Sequence, residues 1–189
     1  GRAVPCDPYL TRPWTHSIRA SLWLQDIPSA VETGRKAMET LPEDNHWVTR
    51  SLVLALAQSG QSDEARRMAL HRLRAENEKL IALFMIAASE GDFGATDELQ
   101  QKFLATYGPN DSVSLIMAAL RGNRNEANRL AGVIDSRPSG HLSLLQSVFW
   151  CTCGIPFDLV ATPNFSGMLL ESGLPWPPEN PLTFPLKNW

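Results

Sequence analysis

The chain has 189 residues, 43% of them hydrophobic, with 17 Lys and Arg against 20 Asp and Glu and a formal net charge of −3. Such near balance excludes wholesale electrostatic attraction to nucleic acid or to an anionic membrane, and no apolar run approaches the ~20 residues that span a bilayer. No signal-peptide layout opens the chain, so a cytoplasmic home is expected; because residue 1 is Gly rather than Met, so is a place within a longer protein.

In chain order, residues 1–12 read as an extended lead-in and residues 13–154 as helical hairpins. The first hairpin lies in SLWLQDIPSAVETGRKAMETLPEDN. Gln25-Asp26 stands at its turn, Pro28 suits a first helical position, and Leu41-Pro42 stops its second helix. The second, from Asn45 to Asn77, is the most regular. Its first helix, HWVTRSLVLALAQSG, is apolar around most of its circumference. Gly60 supplies the left-handed turn, and Ser62 is expected to cap the next helix, with Asp63 and Glu64 in its first turn. The second helix, DEARRMALHRLRAEN, sets Ala65, Met68, Ala69 and Leu73 on one stripe.

The layout then repeats. Gly60, Gly91 and Gly122 recur at 31-residue intervals. Each follows an apolar run (LVLALA, LFMIAA, LIMAAL) and precedes an amphipathic stretch beginning with Ala65, Ala95 or Ala127. Periods of about 20 to 50 residues signal solenoids. A fifth unit, HLSLLQSVFWCTCG, ends at Gly154, 32 residues after Gly122. Its helix holds Leu142, Leu144, Leu145, Val148, Phe149 and Trp150, apolar on nearly all sides and so expected to be buried. Pro156 and Pro163 leave room only for a short helix near Asn164 to Ser172. The tail, LPWPPENPLTFPLKNW, is too apolar to read as a solvated segment. It is expected to cap the last helix with Trp176, Phe184 and Trp189, in preference to acting as a polyproline ligand.

Chemistry-bearing residues are scattered. His16, His46, His71 and His141 lie in separate units without metal-ligand spacing, and no nucleophile elbow, P-loop or H-E-x-x-H occurs. Cys6, Cys151 and Cys153 are odd in number, and the C-T-C pair lies in apolar text, where cysteine acts as a small hydrophobe. No cofactor, metal or catalytic residue is therefore expected. Arg66, Arg67, Arg72, Arg74 and Lys79 interleave with Asp63, Glu64, Glu76 and Glu78, the pattern of a solvated outer helix rather than a phosphate surface.

The text L-A-L-A-Q-S-G-Q-S-D-E-A-R-R-M-A resembles the tetratricopeptide repeat (TPR) in divergent, bacterial form. In that family glycine occupies the turn and alanine follows five residues later, as in Gly60/Ala65 and Gly122/Ala127; in the middle unit Thr96 takes the place, with Ala95 one residue early. The large aromatics of the consensus first helix are mostly missing. Asp26 to Gly60 is 34 residues, the usual TPR length. The resemblance implies an all-α, right-handed α-solenoid of about five helix-turn-helix hairpins in a single domain over 1–189, closed by residues 155–189 as a short helix and an irregular proline-rich cap. It further implies a non-enzymatic interaction or scaffold module, part of a larger regulatory or assembly protein, binding a peptide or partner protein in its concave groove. That groove would be lined near His16, Ala20, Trp23, Trp47, Arg50, Leu54, Gln58, Ile81, Met85, Ser89, Ser112, Ile116 and Leu120. Only Arg50 matches the cations with which such domains grip a C-terminal carboxylate, so an amphipathic helix, a hydrophobic peptide, a second copy or the chain's own tail fits better. The alternative is a small-molecule sensor with an apolar pocket between groove and tail.

Overall fold

A computed structural model describes residues 10–41, 45–148 and 155–172. The three cysteines, the Phe149 and Trp150 positions, and the tail after Ser172 lie outside the described residues. Among the described residues there are ten α-helices, a short 3-10 turn and no strand. The helices are α1 (Thr11–Trp23), α2 (Ile27–Thr40), α3 (His46–Gln58), α4 (Ser62–Arg72), α5 (Glu76–Glu90), α6 (Phe93–Tyr107), α7 (Asp111–Leu120), α8 (Arg124–Asp135), α9 (Gly140–Ser147) and α10 (Pro163–Glu171).

Four tight turns share one hydrogen-bond scheme. At α1/α2, α3/α4, α5/α6 and α7/α8 a residue at or just past the helix C-cap adopts positive φ: Gln25 at 59°, Gly60 at 80°, Gly91 at 75° and Gly122 at 71°. Its N–H donates three residues back (Gln25 to Leu22, Gly60 to Ala57, Gly91 to Ala88, Gly122 to Ala119). The next N–H donates five residues back (Asp26 to Ser21, Gln61 to Leu56, Asp92 to Ala87, Asn123 to Ala118), all at 2.9–3.3 Å. This is the Schellman closure, which satisfies the last carbonyls of a helix. The second residue then opens the following helix. Asp26, Asp92 and Asn123 accept from the backbone N–H three residues on, at 3.2, 2.9 and 3.2 Å. That contact helps hold the Asp26 carboxyl below its usual range.

Two expectations are corrected here. Gln25, rather than Asp26, takes the glycine position, so the interval to Gly60 is 35 residues rather than 34 (60 minus 25). Gln61, rather than Ser62, is the N-cap of α4, and Ser62 is already helical; the Schellman geometry leaves one residue between the positive-φ residue and the next helix, and that residue is the cap.

Close packing divides the chain into two compact units, Gly1–Thr106 and Tyr107–Trp189. In the first, α1 packs on α2 and α3, α2 on α3, α3 on α4 and α5, and α4 on α5. Gly34 on α2 makes the α2–α3 approach possible, since a Cβ there would stand 2.6 Å from Leu52 Cδ1. Ile18, Leu22, Leu52, Leu56, Phe84 and Ile86 fill the interior, each worth about 1.5–3 kcal/mol of burial before ordering costs. Salt bridges run between hairpins, Arg35–Glu64 at 2.6 Å and Arg66–Glu90 at 3.0 Å, and within the α5/α6 hairpin, Lys102–Glu76 at 3.4 Å. Arg66 thus reaches to another helix, where pairing along its own was expected.

The second unit closes differently. Here α7 and α8 pack together, α9 packs on both, and α10 and the 3-10 turn at Leu159–Ala161 pack on α8. Asp135, the last residue of α8, is 2% exposed. Its two carboxylate oxygens accept the backbone N–H groups of Asn164 and Phe165 at 2.8 and 2.9 Å, and Asn164 Nδ2 donates to its carbonyl at 3.0 Å. The first turn of α10 is thereby capped from another helix. Asp158 is paired with Arg124, accepts from Asn128 Nδ2 at 2.7 Å, and donates its own N–H to Asn128 Oδ1 at 2.7 Å. Those two partners hold its carboxyl below the usual 3.8. Phe157 and Phe165 meet edge-on at 5.9 Å in the space so closed.

The short helix expected near Asn164 is therefore present as Pro163–Glu171. The all-round burial expected of the fifth-unit helix is not: Leu144 and Val148 are buried, but Leu142 is 53% and Leu145 41% exposed. Segment 155–172 covers α8 and only one side of α9.

Candidate functional site

The start of α3 gathers the most distinctive side chains. Asn45 fixes its first turn, accepting from Val48 N–H at 3.3 Å, and its Nδ2 donates to Thr11 Oγ1 at 2.6 Å. The His46 and Trp47 rings stand 4.9 Å apart, tilted by 39°. Arg50, three residues on and so on the same face, lays its guanidinium 5.1 Å from the Trp47 ring centroid. Trp47 remains 38% exposed. The result is a flat aromatic surface backed by a cation, a combination over-represented among residues that dominate binding energy.

In this unit Nε of Arg50 and Nε1 of Trp23, at the end of α1, are buried and have no hydrogen-bond acceptor among the described residues. Buried donors are nearly always satisfied, so each such exception calls for an explanation. The helices that carry them, α1 and α3, hold Arg12, His16, Arg19, His46 and Arg50 and no acidic residue.

The expected groove set divides sharply. His16, Ala20 and Trp47 are exposed, while Trp23, Arg50, Gln58, Ile81, Ser89 and Ser112 are half-buried. Leu54, Met85, Ile116 and Leu120 are corrected: they are 4%, 2%, 5% and 8% exposed and line no open surface. The reason is lateral packing. Helix α3 is enclosed by α1, α2, α4 and α5, and α7 by α8 and α9, so apolar positions that a helical wheel turns outward are closed by neighbours. Ser112, Ile116 and Leu120 belong to the second unit, the rest to the first. Sequence reading missed Arg19, 1% exposed on α1. It sits on the buried stripe of Thr15, Ile18 and Leu22, and that 3-4 spacing was the available signal.

Two clefts lie elsewhere. One, about 770 Å³, runs along α2 beside Ile27, Pro28, Val31, Glu32, Arg35, Lys36 and Glu39, with Gln58, Ser59 and Gln61 opposite. Of the expected groove residues only Gln58 reaches it. The other, about 590 Å³, lies in the second unit between the α8–α9 connection and α10, beside Arg137, His141, Met168 and Glu171. Among the described residues no His, Cys, Asp and Glu come together as a metal site, and no helix is long and apolar enough to cross a membrane.

Comparison of the chain with protein-family models, with curated proteins and with solved structures finds no match.

Proposed function

We propose that the chain is a TPR-like interaction module, a right-handed α-solenoid of about five hairpins that binds a peptide or partner protein on the face formed by its first helices. It acts without catalysis, in the cytoplasm, as part of a larger regulatory or assembly protein of bacterial type. The observation that carries this reading is the fourfold recurrence of one turn, Schellman closure followed at once by the next N-cap. Identical turns give each hairpin the same internal closure, and in the first unit α1 packs on α3 and α3 on α5. Side chains in reach there are His16, Trp23, Trp47, Arg50, Gln58 and Ser89.

The test is capture of partners from lysate by the intact chain, compared with Trp47→Ala and Gln58→Glu variants. Loss of the captured species at unchanged helicity supports the reading; undiminished capture by both variants moves the site off these helices. Met85, buried as it is, serves instead as a folding probe.

A second reading, a ligand-binding domain, is favoured by the cleft along α2, whose size matches small-molecule sites. The pocket expected between groove and tail falls outside the described residues. A metabolite that raises the melting temperature with the concentration dependence of mass action, and loses that effect in Val31→Glu, would establish it.

A further inference from the structure

The proposed binding face lies on the first unit; this inference concerns the second and is independent of it. We propose that residues 173–189 return across the second unit as an intramolecular strap, laying apolar side chains led by Trp176 on the open face of α9.

That face is defined by Leu142 and Leu145, 53% and 41% exposed and three residues apart, on the side of α9 turned away from the buried Leu144 and Ser147. A surface helix ordinarily carries charge on its solvated side. Among the described helices α9 alone contains no Asp, Glu, Lys or Arg. Two leucines on an uncharged face form a seat for an apolar partner.

Three observations select the chain's own C-terminal segment over a second copy or a separate protein. The first is place. Glu171, at the end of α10, and His141, in the first turn of α9, border the same cleft of about 590 Å³. The segment therefore leaves α10 across one cleft from Leu142. Trp176 follows Ser172 by four residues (176 minus 172), a reach of up to about 13 Å. The second is composition. The segment holds five prolines, Trp176, Phe184 and Trp189, and its only charged side chains are Glu179 and Lys187. Solvated segments are polar and poor in aromatics; this one matches an apolar, uncharged face. The third is area. Two part-exposed leucines fall far short of the ~800 Å² per partner that a specific interface between separate chains buries. A tether at Ser172 removes that requirement, because it supplies an effective concentration on the order of millimolar.

Photocrosslinking of the full chain tests this, with Leu142 replaced by p-benzoylphenylalanine. At low protein concentration, mass-spectrometric mapping should place the dominant adducts within the same chain, at residues 173–189. Trp176→Ser, Phe184→Ser and Trp189→Ser together should cut those adducts at least about tenfold, since the tether remains and only apolar docking is lost. A second readout leaves the probe out. Hydroxyl-radical oxidation of Trp176 and Trp189 should rise at least about threefold in Leu142→Asn/Leu145→Asn, while the buried Phe157 and Phe165 stay protected and report an intact fold. Adducts that persist in the serine variant show a tether without docking and overturn the proposal. Adducts between chains overturn it in favour of a second copy. Equal oxidation of the two tryptophans in both forms, or no adduct at 173–189, overturns it in favour of an open face.

Discussion

The first unit packs its helices by shared apolar faces, whereas the second fastens its last helices with buried and paired carboxylates. Helices α1 to α5 pack in succession, and the ion pairs among them are exposed straps such as Arg35–Glu64 and Arg66–Glu90, individually worth little. Among the described residues after α8, no tight turn of the repeated kind recurs, and the end of α8 is fastened by carboxylates: Asp135 on the amides of α10, Asp158 on Arg124 and Asn128. A repeat needs only apolar complementarity to continue. Where it stops, irregular backbone must be satisfied group by group, and polar side chains take over.

The contrast is broken most severely at Gly140. A Cβ there would collide with the Ile134 carbonyl oxygen, a backbone atom that cannot rotate away. Gly140→Ala should cost at least about 3 kcal/mol, and hydrogen exchange should show protection lost in α8–α10 with α3 and α5 far less affected. Next comes Leu52→Ala, expected to cost about 3 kcal/mol in urea denaturation, because the side chain is fully buried. Its exchange signature should be the reverse, centred on α2–α5. A cost below about 1 kcal/mol would mean the first unit does not depend on that seam.

Asp135→Ala should cost roughly 2–4 kcal/mol, since two N–H groups at the start of α10 lose their acceptor. Should α10 stay protected in this variant, apolar packing alone fastens the second unit and the contrast fails. Acid should separate the units as well. The Asp158 carboxyl titrates below its ordinary 3.8 in the folded chain. Its stabilisation is therefore complete above about pH 4 and is lost as pH falls through the lowered folded value. Asp158→Asn should remove that part of the acid dependence.

The smallest effect has the opposite sign. Gln25 holds φ of 59° where the other three turns have glycine. Gln25→Gly should stabilise by up to about 1 kcal/mol, the left-handed penalty less the added chain entropy. A destabilised variant would show that the Gln25 side chain makes a contact outweighing the strain.

What could be read in advance was whatever is decided within a few residues. Gly60, Gly91 and Gly122 announce their turns because the left-handed penalty is local, and Pro163 announces the start of α10 for a similar reason. The register at Gln25-Asp26 slipped by one because Asp26 is the better turn residue by type, yet its side chain serves the next helix. Leu54 and Met85 could not be told from surface positions, since their closure depends on helices from other hairpins. Leu142 and Leu145 failed in the reverse direction: an apolar wheel implies burial only if something remains to bury it. Of the candidate site, the Trp47–Arg50 pair follows from spacing of three, whereas the orphaned donor on Trp23 is visible only in three dimensions.

The turn that serves as both ending and beginning bears on the order of folding. Each of the four joins helices whose closing bonds span five residues or fewer, so a hairpin is complete as soon as its second helix exists, and chains rich in local contacts fold fast. Asp135 has no such partner nearby; its amides arrive about thirty residues later, at Asn164 and Phe165. During synthesis the early hairpins can form in sequence as they emerge, while the end of α8 waits with a carboxylate poised over an empty seat. The interval between translating Asp135 and Phe165 is the period in which this chain should be most dependent on a chaperone and most exposed to a protease.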